Sequence, residues 1–411
     1  MVRSTDVLVV GGGATGVGVA RDLALRDVDV TLVERSGLAG GTTGRSHGLL
    51  HSGARYAESD PDGAAECIAE NRVLRSIAGA CVRETGGYFV QLDGDDPAYF
   101  AEKREACRDL GIDVATVGSD ELDATVPGAS DAVDRAMCVP DGVISPSRLV
   151  AATAADARTH GASVYTHAPV EDVHVDGGRA TGATVGGDVD DRIEASVVVN
   201  AAGAWAESCA DLAGVDVPMR PTRGVMVAVD YPDLGSVLNR CRPPADGDIV
   251  VPHDREAVLG TTSVAVDDPD EYPRESWEVE RVREECAAML PAVADAPVTR
   301  TYWGVRPLYE PDESTRDDRG ISRDFFLLDH AADGVDGFVS VVGGKLTTYR
   351  AMAEATADLV CRRLGVDEPC RTADVALTAA DDPARLDELV AAFDVCAPAD
   401  GVRPPADDGR E

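Results

Sequence analysis

The chain has 411 residues, enough for two domains with cores of their own. Its 74 Asp and Glu against 38 Lys and Arg leave a net charge of −36, which excludes a basic nucleic-acid-binding face. The acids are spread over the whole length, so we read them as a solvated surface adapted to concentrated intracellular salt and not as an acidic binding tail.

The chain begins with an apolar run, Val7-Leu8-Val9-Val10, of the kind that forms a buried parallel strand. Gly11-Gly12-Gly13-Ala14-Thr15-Gly16 follows and fits G-x-G-x-x-G. A helix is expected over 15–26, with Val17, Ala20, Leu23 and Ala24 on one face, and a second strand over 28–33 ending in Glu34. Strand, glycines, helix, strand and acid thus fall in the order of a dinucleotide-binding βαβ unit. Gly11 permits the tight turn, Gly13 lets a pyrophosphate approach the backbone, and Gly16 lets helix and strand pack closely. The helix N-terminus offers amides and partial positive charge to phosphates. Glu34 is placed to accept from ribose hydroxyls.

The loop after Glu34 bears on which dinucleotide. Gly40-Gly41-Thr42-Thr43-Gly44-Arg45-Ser46 runs into His47-Gly48-Leu49-Leu50-His51-Ser52-Gly53-Ala54-Arg55-Tyr56. A nicotinamide site would go straight into another helix. A loop rich in hydroxyls and backbone donors suits FAD, whose ribityl chain and second phosphate need more partners.

Helices are expected over 61–80, with Asn71, Arg72 and Arg75 on polar positions, and over 96–110 and 147–160, with a strand at 88–92 and a strand–turn at 139–144. Residues 164–185 read as a hairpin-like pair turning at Asp176-Gly177-Gly178. A buried strand then runs through Val199 into the small-residue turn Ala201-Ala202-Gly203-Ala204, a place where a ligand can approach closely. From 220 to about 307 the texture changes to short alternating strands (224–229, 249–251, 257–262) broken by proline, with one helix over 277–290. This reads as an antiparallel substrate-binding domain. Strands at 325–328 and 337–342 and a long helix opening at Gly343-Gly344-Lys345-Leu346-Thr347-Thr348 return to the first texture. The fold class is therefore α/β: a Rossmann-like FAD-binding domain, of the glutathione-reductase and D-amino-acid-oxidase kind, with an inserted antiparallel-sheet domain. We assign 1–80, 140–219 and 320–375 to the first domain and 81–139 and 220–319 to the second. Residues 376–411 form a short extension with one helix over 381–393 and disorder expected from 397 onward.

Ten cysteines are scattered without C-x-x-C spacing, so no metal or cluster site is expected, and the thiols suit a reducing cytoplasm. No signal peptide is expected before the first strand, and no apolar run approaches a membrane span.

Together, Gly11 to Gly16 with Glu34, the loop 42–56, the turn at Gly203, Gly304-Val305-Arg306-Pro307-Leu308 and Gly343 to Arg350 resemble FAD-dependent sn-glycerol-3-phosphate dehydrogenase. Asn239-Arg240-Cys241-Arg242-Pro243-Pro244, Asp248 to Pro252 and Gly260-Thr261-Thr262-Ser263 look specifically like the catalytic chain of the anaerobic three-subunit form. The resemblance implies oxidation of sn-glycerol 3-phosphate to dihydroxyacetone phosphate in glycerol metabolism, with electrons passed to quinone or respiratory partner subunits. It also implies a cytoplasmic protein with peripheral contact on the inner face of the membrane. By resemblance, Gly11, Gly13, Gly16, Glu34, Thr42, Thr43, Arg45, Val170 and Gly203 hold FAD, and Gly344, Lys345, Leu346 and Thr347 face its flavin end. Arg55 and Arg306 are the phosphate and carbonyl clamps, with Tyr56 nearby and His253 a further substrate contact. The base that takes the hydroxyl proton is His51 first, His253 second, Lys345 third.

Two departures stand out. Aerobic single-subunit relatives carry a histidine after a Gly-Ser pair in the substrate domain, where this chain has Arg223-Gly224-Val225-Met226. The anaerobic catalytic chain usually continues into a cysteine-rich domain, and Cys361, Cys370 and Cys396 lack cluster spacing. Two alternatives stay open: a flavin enzyme of another 2-hydroxy acid or an amine, and a non-catalytic FAD-binding component of a respiratory complex.

Overall fold

In the computed structural model, which describes residues 3–310 and 325–402, the apolar opening run becomes the strand Arg3–Val10, with Val7, Leu8 and Val9 fully buried. It lies between Val30–Val33 and Asp191–Asn200, parallel to both. Ser163–Tyr165 extends the sheet beyond Val30–Val33. The outer side of Asp191–Asn200 is shared. Its first half pairs with Arg179–Val185 and its last residues with Phe338–Gly343. Among the described residues eight strands make up this sheet. The helices Ala14–Leu25, Pro146–Thr159 and Tyr349–Leu364 bury their apolar faces in one core on it. Ordinary strand burial on both faces explains the unbroken apolar runs.

A second sheet, of nine strands among the described residues, draws on Gly87–Leu92, Ala115–Gly118, Val133–Val139 and the strands between Thr222 and Arg306. It is antiparallel except where Val237–Arg240 runs parallel to Gly87–Leu92. That four-residue strand is too short to show alternation, and it is the piece that stitches the two sequence segments into one sheet. The helix Ser276–Ala287 covers the sheet through Val282 and Cys286. A three-stranded sheet of Leu49–Leu50, Val82–Arg83 and Gly142–Ile144 completes the set.

Four helix starts share a local cause. Asp60, Asp96, Ser145 and Asp382 each accept from a first-turn amide, and each is followed by proline. Three expectations change. The pair expected over 164–185 is the hairpin Val170–Asp176 with Arg179–Val185, and Ser163–Tyr165 is a separate strand. Asn71 is buried, not surface-polar: its amide donates to the carbonyls of Leu50, His51 and Pro140. Residues 397–402 are ordered. The helix Pro383–Ala392 finds an apolar seat for Leu386, Leu389 and Val390, and Asp400 then accepts from the Ser145 hydroxyl and the Ser147 amide, both at 2.8 Å. The expected domain boundary near 320 and the tail 403–411 lie outside the described residues. Among the described residues no helix is long and apolar enough to cross a membrane.

Candidate active site

The glycine turn does what its residue types require. Gly11 has φ +113°, and a Cβ there would lie 2.5 Å from the Ala201 carbonyl oxygen. A Cβ on Gly16 would lie 1.9 Å from the Gly11 oxygen, so only glycine lets this helix sit so close to the strand. Gly16 therefore shapes the turn without lining the cleft. That cleft, of about 340 Å³, runs along Gly11, Gly13, Glu34, Thr42, Thr43, Val170, Gly203, Gly344, Lys345 and Leu346. Gly13 caps the helix Ala14–Leu25 with no side chain, and the Ala14 amide donates to Thr43 Oγ1 at 3.1 Å. Glu34 accepts from the Gly12 amide at 2.7 Å and from Ser36 at 3.0 Å, which locks the carboxylate at the end of its strand. Gly203, at φ +61°, opens onto space that a side chain would fill. A long cleft with a backbone floor, a helix N-terminus midway and an acid at one end fits an extended FAD.

At the acid end, Arg35 stacks over Trp205, its guanidinium carbon 4.2 Å from the ring centroid. Asp270, from a loop of the second sheet, accepts from both: 3.0 Å from Arg35 Nη2 and 2.8 Å from Trp205 Nε1. Burial pushes the Asp270 carboxyl up, but the hydrogen bonds from Arg35 and Trp205 outweigh it and hold the group below the usual carboxylate range.

Thr42 and Ser46 line both this cleft and a second cavity of about 660 Å³ between the two sheets. His51, Arg55, Tyr56 and Arg306 all line that second cavity. His51 is positioned by its backbone: its amide donates to Thr347 Oγ1 at 3.0 Å and its carbonyl accepts from Asn71 at 3.1 Å. Its ring lies 5.5 Å from the Tyr56 ring. Arg55 Nη2 stands 3.6 Å from Asp248, a buried carboxylate that also pairs with Arg242. Burial pushes Asp248 up, and Arg55 and Arg242 work against that shift. Arg306 is held at 2.9 Å by the Thr262 carbonyl. Lys345 reaches over the Tyr56 ring, 4.8 Å from its centroid, with Asp60 3.9 Å from its amine. Lysine and tyrosine thus stand at the junction of cleft and cavity.

Three expected residues take other places. Arg45 lines the second cavity and not the cofactor cleft, with its Nη1 donating to the Gly41 carbonyl at 3.4 Å. Thr347 is fully buried and serves His51, so it faces the protein and not the cleft. His253 stands behind the cavity wall: its Nε2 is 3.0 Å from the His47 carbonyl and must be the donor there. Burial pushes its pKa down, which keeps the ring neutral. With Nε2 committed to that carbonyl, His253 lines neither the cleft nor the cavity. Met226 does line the cavity, so an apolar thioether occupies the wall where the aerobic pattern carries histidine.

Sequence reasoning missed His47, which lines the cavity with its ring 6.1 Å from that of His51. Its place four residues before His51 in the same loop was the available signal. It also missed the Arg35, Trp205 and Asp270 cluster, whose members are far apart in sequence.

The FAD dependent oxidoreductase family matches residues 6–359. The A1 chain of the anaerobic glycerol-3-phosphate dehydrogenase of Haloferax volcanii is 51% identical over 93% of this chain and 68% of its own length. The A chain of the corresponding Escherichia coli enzyme is 43% identical over 93% of this chain and 72% of its own length. Among solved structures, the glycerol-3-phosphate dehydrogenase of Bacillus halodurans complexed with FAD superposes with a TM-score of 0.70 at 24% identity, covering 94% of this chain and 71% of that one. The glycine oxidase of Geobacillus kaustophilus superposes with 0.73 at 22% identity, covering 92% and 99%. At those identities the structures speak for the fold alone. On its sequence, the chain belongs to the FAD dependent oxidoreductase family, and within it to the A-type chains of anaerobic glycerol-3-phosphate dehydrogenase.

Proposed function

We propose that this chain oxidises sn-glycerol 3-phosphate to dihydroxyacetone phosphate and passes the electrons to a quinone or to respiratory partner subunits. The observation that carries the reading is the pair Arg55 and Arg306 in one cavity that meets the FAD cleft. In a chain with a net charge of −36, a cavity where Arg45, Arg55 and Arg306 outnumber the carboxylates of Asp60 and Asp246 marks a place for an anion. Guanidinium forks suit a phosphate dianion best. The sequence relatives carry the same activity in their names.

Gly11, Gly13, Glu34, Thr42, Thr43, Val170 and Gly203 would hold the cofactor, with Gly344, Lys345 and Leu346 lining the same cleft. FAD supplies the two-electron acceptor for the hydride from the alcohol carbon. The chain's own residues do the rest. Arg55 and Arg306 bind and orient the phosphate, which places the secondary alcohol near the Thr42 and Ser46 junction. His51 takes the hydroxyl proton, leaving the ketone, and Tyr56 holds the imidazole against the cavity wall. Lys345, at the opening of the helical segment Leu346–Thr348, would set positive charge at the junction of cleft and cavity. Contact with the membrane is peripheral, on its inner face, and runs through the partner subunits.

The test is anaerobic and made in molar KCl. Purified yellow protein bleaches on addition of sn-glycerol 3-phosphate, and not with glycerol, lactate or glycine. A flavin that stays oxidised with the phosphate ester overturns the reading.

A further inference from the structure

Lys103 and Lys345 are the only lysines among 38 basic residues, and both converge on the loop that carries His51, Arg55 and Tyr56. Lys345 does so from the cavity. Lys103 comes from the helix Pro97–Asp109 and approaches the same loop from behind, with a side chain only 1% exposed. Its Nζ lies 3.0 Å from the Ala54 carbonyl oxygen, 3.3 Å from that of Arg55 and 2.5 Å from Glu58 Oε2. Three acceptors around one nitrogen match the three N–H of an ammonium. The rings of Phe89 and Tyr99 lie 5.2 and 5.3 Å from it, and the Tyr99 hydroxyl donates to the other oxygen of Glu58. Burial pulls the lysine pKa down and Glu58 opposes that pull. An arginine fork cannot place its donors on three acceptors that converge on one point. That is a physical reason for lysine here, in a chain that uses arginine almost everywhere.

The held turn is the one that aims Arg55. Tyr56 N donates back to the Gly53 carbonyl at 2.9 Å, and the next two carbonyls point away from the cavity, to Lys103. The guanidinium is steered separately, by Asp248. We propose that Lys103 is a positioning residue of the substrate site: through the carbonyls of Ala54 and Arg55 it holds the Arg55 guanidinium where a phosphate docks, and so sets affinity for phosphate without moving a proton or an electron. The identity of the phosphate ester rests on the proposed function above.

The test uses the flavin-loaded protein and its K103M, K103R and E58Q variants. Two affinities are read: that for inorganic phosphate, from perturbation of the oxidised flavin spectrum, and that for sn-glycerol 3-phosphate, from anaerobic stopped-flow bleaching. In K103M and K103R both dissociation constants rise together, on the order of tenfold, because a clamp displaced by a fraction of an ångström loses its geometry. The limiting rate of bleaching stays within about twofold, the signature of lost binding and not of lost chemistry. E58Q moves the same way by less. If K103M does not retain flavin, K103R and E58Q carry the test. Unchanged phosphate affinity in the flavin-loaded variants, with or without a lower melting temperature, overturns the proposal. So does a fall in limiting rate alone. A parent protein that binds phosphate but does not bleach overturns the proposed substrate, while the phosphate series still judges Lys103. A parent that binds neither overturns both.

Discussion

The cleft along Gly11, Gly13 and Gly203 is walled by backbone and by missing side chains, whereas the cavity beyond Thr42 is walled by His51, Arg55, Met226 and Arg306. The first accepts a ligand by leaving room and offering amides. The second does so by placing charge. The supports differ as well. The cleft starts on the strand–turn–helix unit of residues 11–43 and is completed by Val170, Gly203, Gly344 and Leu346, on strands, turns and a helix start of the first sheet. The cavity joins a loop of the first domain to strands more than 150 residues later, and its charged groups are braced by buried partners such as Asp248 and Thr262. A site made of absences fails when anything is added. A site made of charges fails when something is removed.

The sharpest break of this contrast is Gly16→Ala. The added methyl would meet the Gly11 oxygen at 1.9 Å, and relieving such an overlap costs about 1–3 kcal/mol or more. We expect protein without flavin and with a lower melting temperature, read from the absorbance ratio at 450 and 280 nm. A yellow, fully loaded variant would mean that the close packing at this turn is dispensable.

Arg306→Ala comes next and should leave flavin content intact. Truncating a clamp that meets a charged ligand in a partly buried site removes about 2–5 kcal/mol, which is roughly 30- to several thousand-fold in kcat/KM. Half-saturation of anaerobic bleaching by sn-glycerol 3-phosphate measures it. An effect below threefold would place the phosphate elsewhere.

The two histidines separate chemistry from support. His51→Asn should slow bleaching by about 10²- to 10⁴-fold at saturating substrate, the range for a lost general base. His253→Phe should slow it far less and change the pH dependence of stability instead. The His253 pKa is lower folded than unfolded, so the unfolded chain binds the extra proton first. Its contribution is therefore present above the ordinary histidine pKa and is lost as pH falls through the depressed one. Melting temperature followed from neutral into mildly acidic pH should fall more steeply in the parent than in His253→Phe. Equal slopes would remove His253 from that account.

The smallest effect is expected at the exposed clasp over the cleft. Asp270→Asn weakens a surface contact of about 0.2–1 kcal/mol, so flavin should dissociate only about 1.4- to fivefold faster. Because the Asp270 carboxyl titrates below the usual range, the clasp persists through neutral pH and is lost only as pH falls through that depressed value. A parent and variant with the same flavin off-rate at low and high salt would show that the clasp plays no part in retention.

Local order carried what could be read in advance. The strand Arg3–Val10, the glycine turn, Glu34 and the Asp-Pro and Ser-Pro helix starts are each decided within a few residues, by sterics and by capping, and they appear where their residue types place them. Arg55 and Arg306 were marked by the family resemblance of the motifs around them. Contacts across the chain settled the remainder. Asn71 read as polar surface and is buried, because three loop carbonyls needed a donor there. His253 matched His51 in residue type and differs from it only in facing a carbonyl instead of the cavity. Lys103 carried no local signal beyond being a lysine, and its three acceptors lie 45 to 49 positions away. Backbone geometry is a short-range property that a stretch of residues can specify alone. Which side chain faces the ligand, and which one holds it there, depends on what the second sheet brings against the loop.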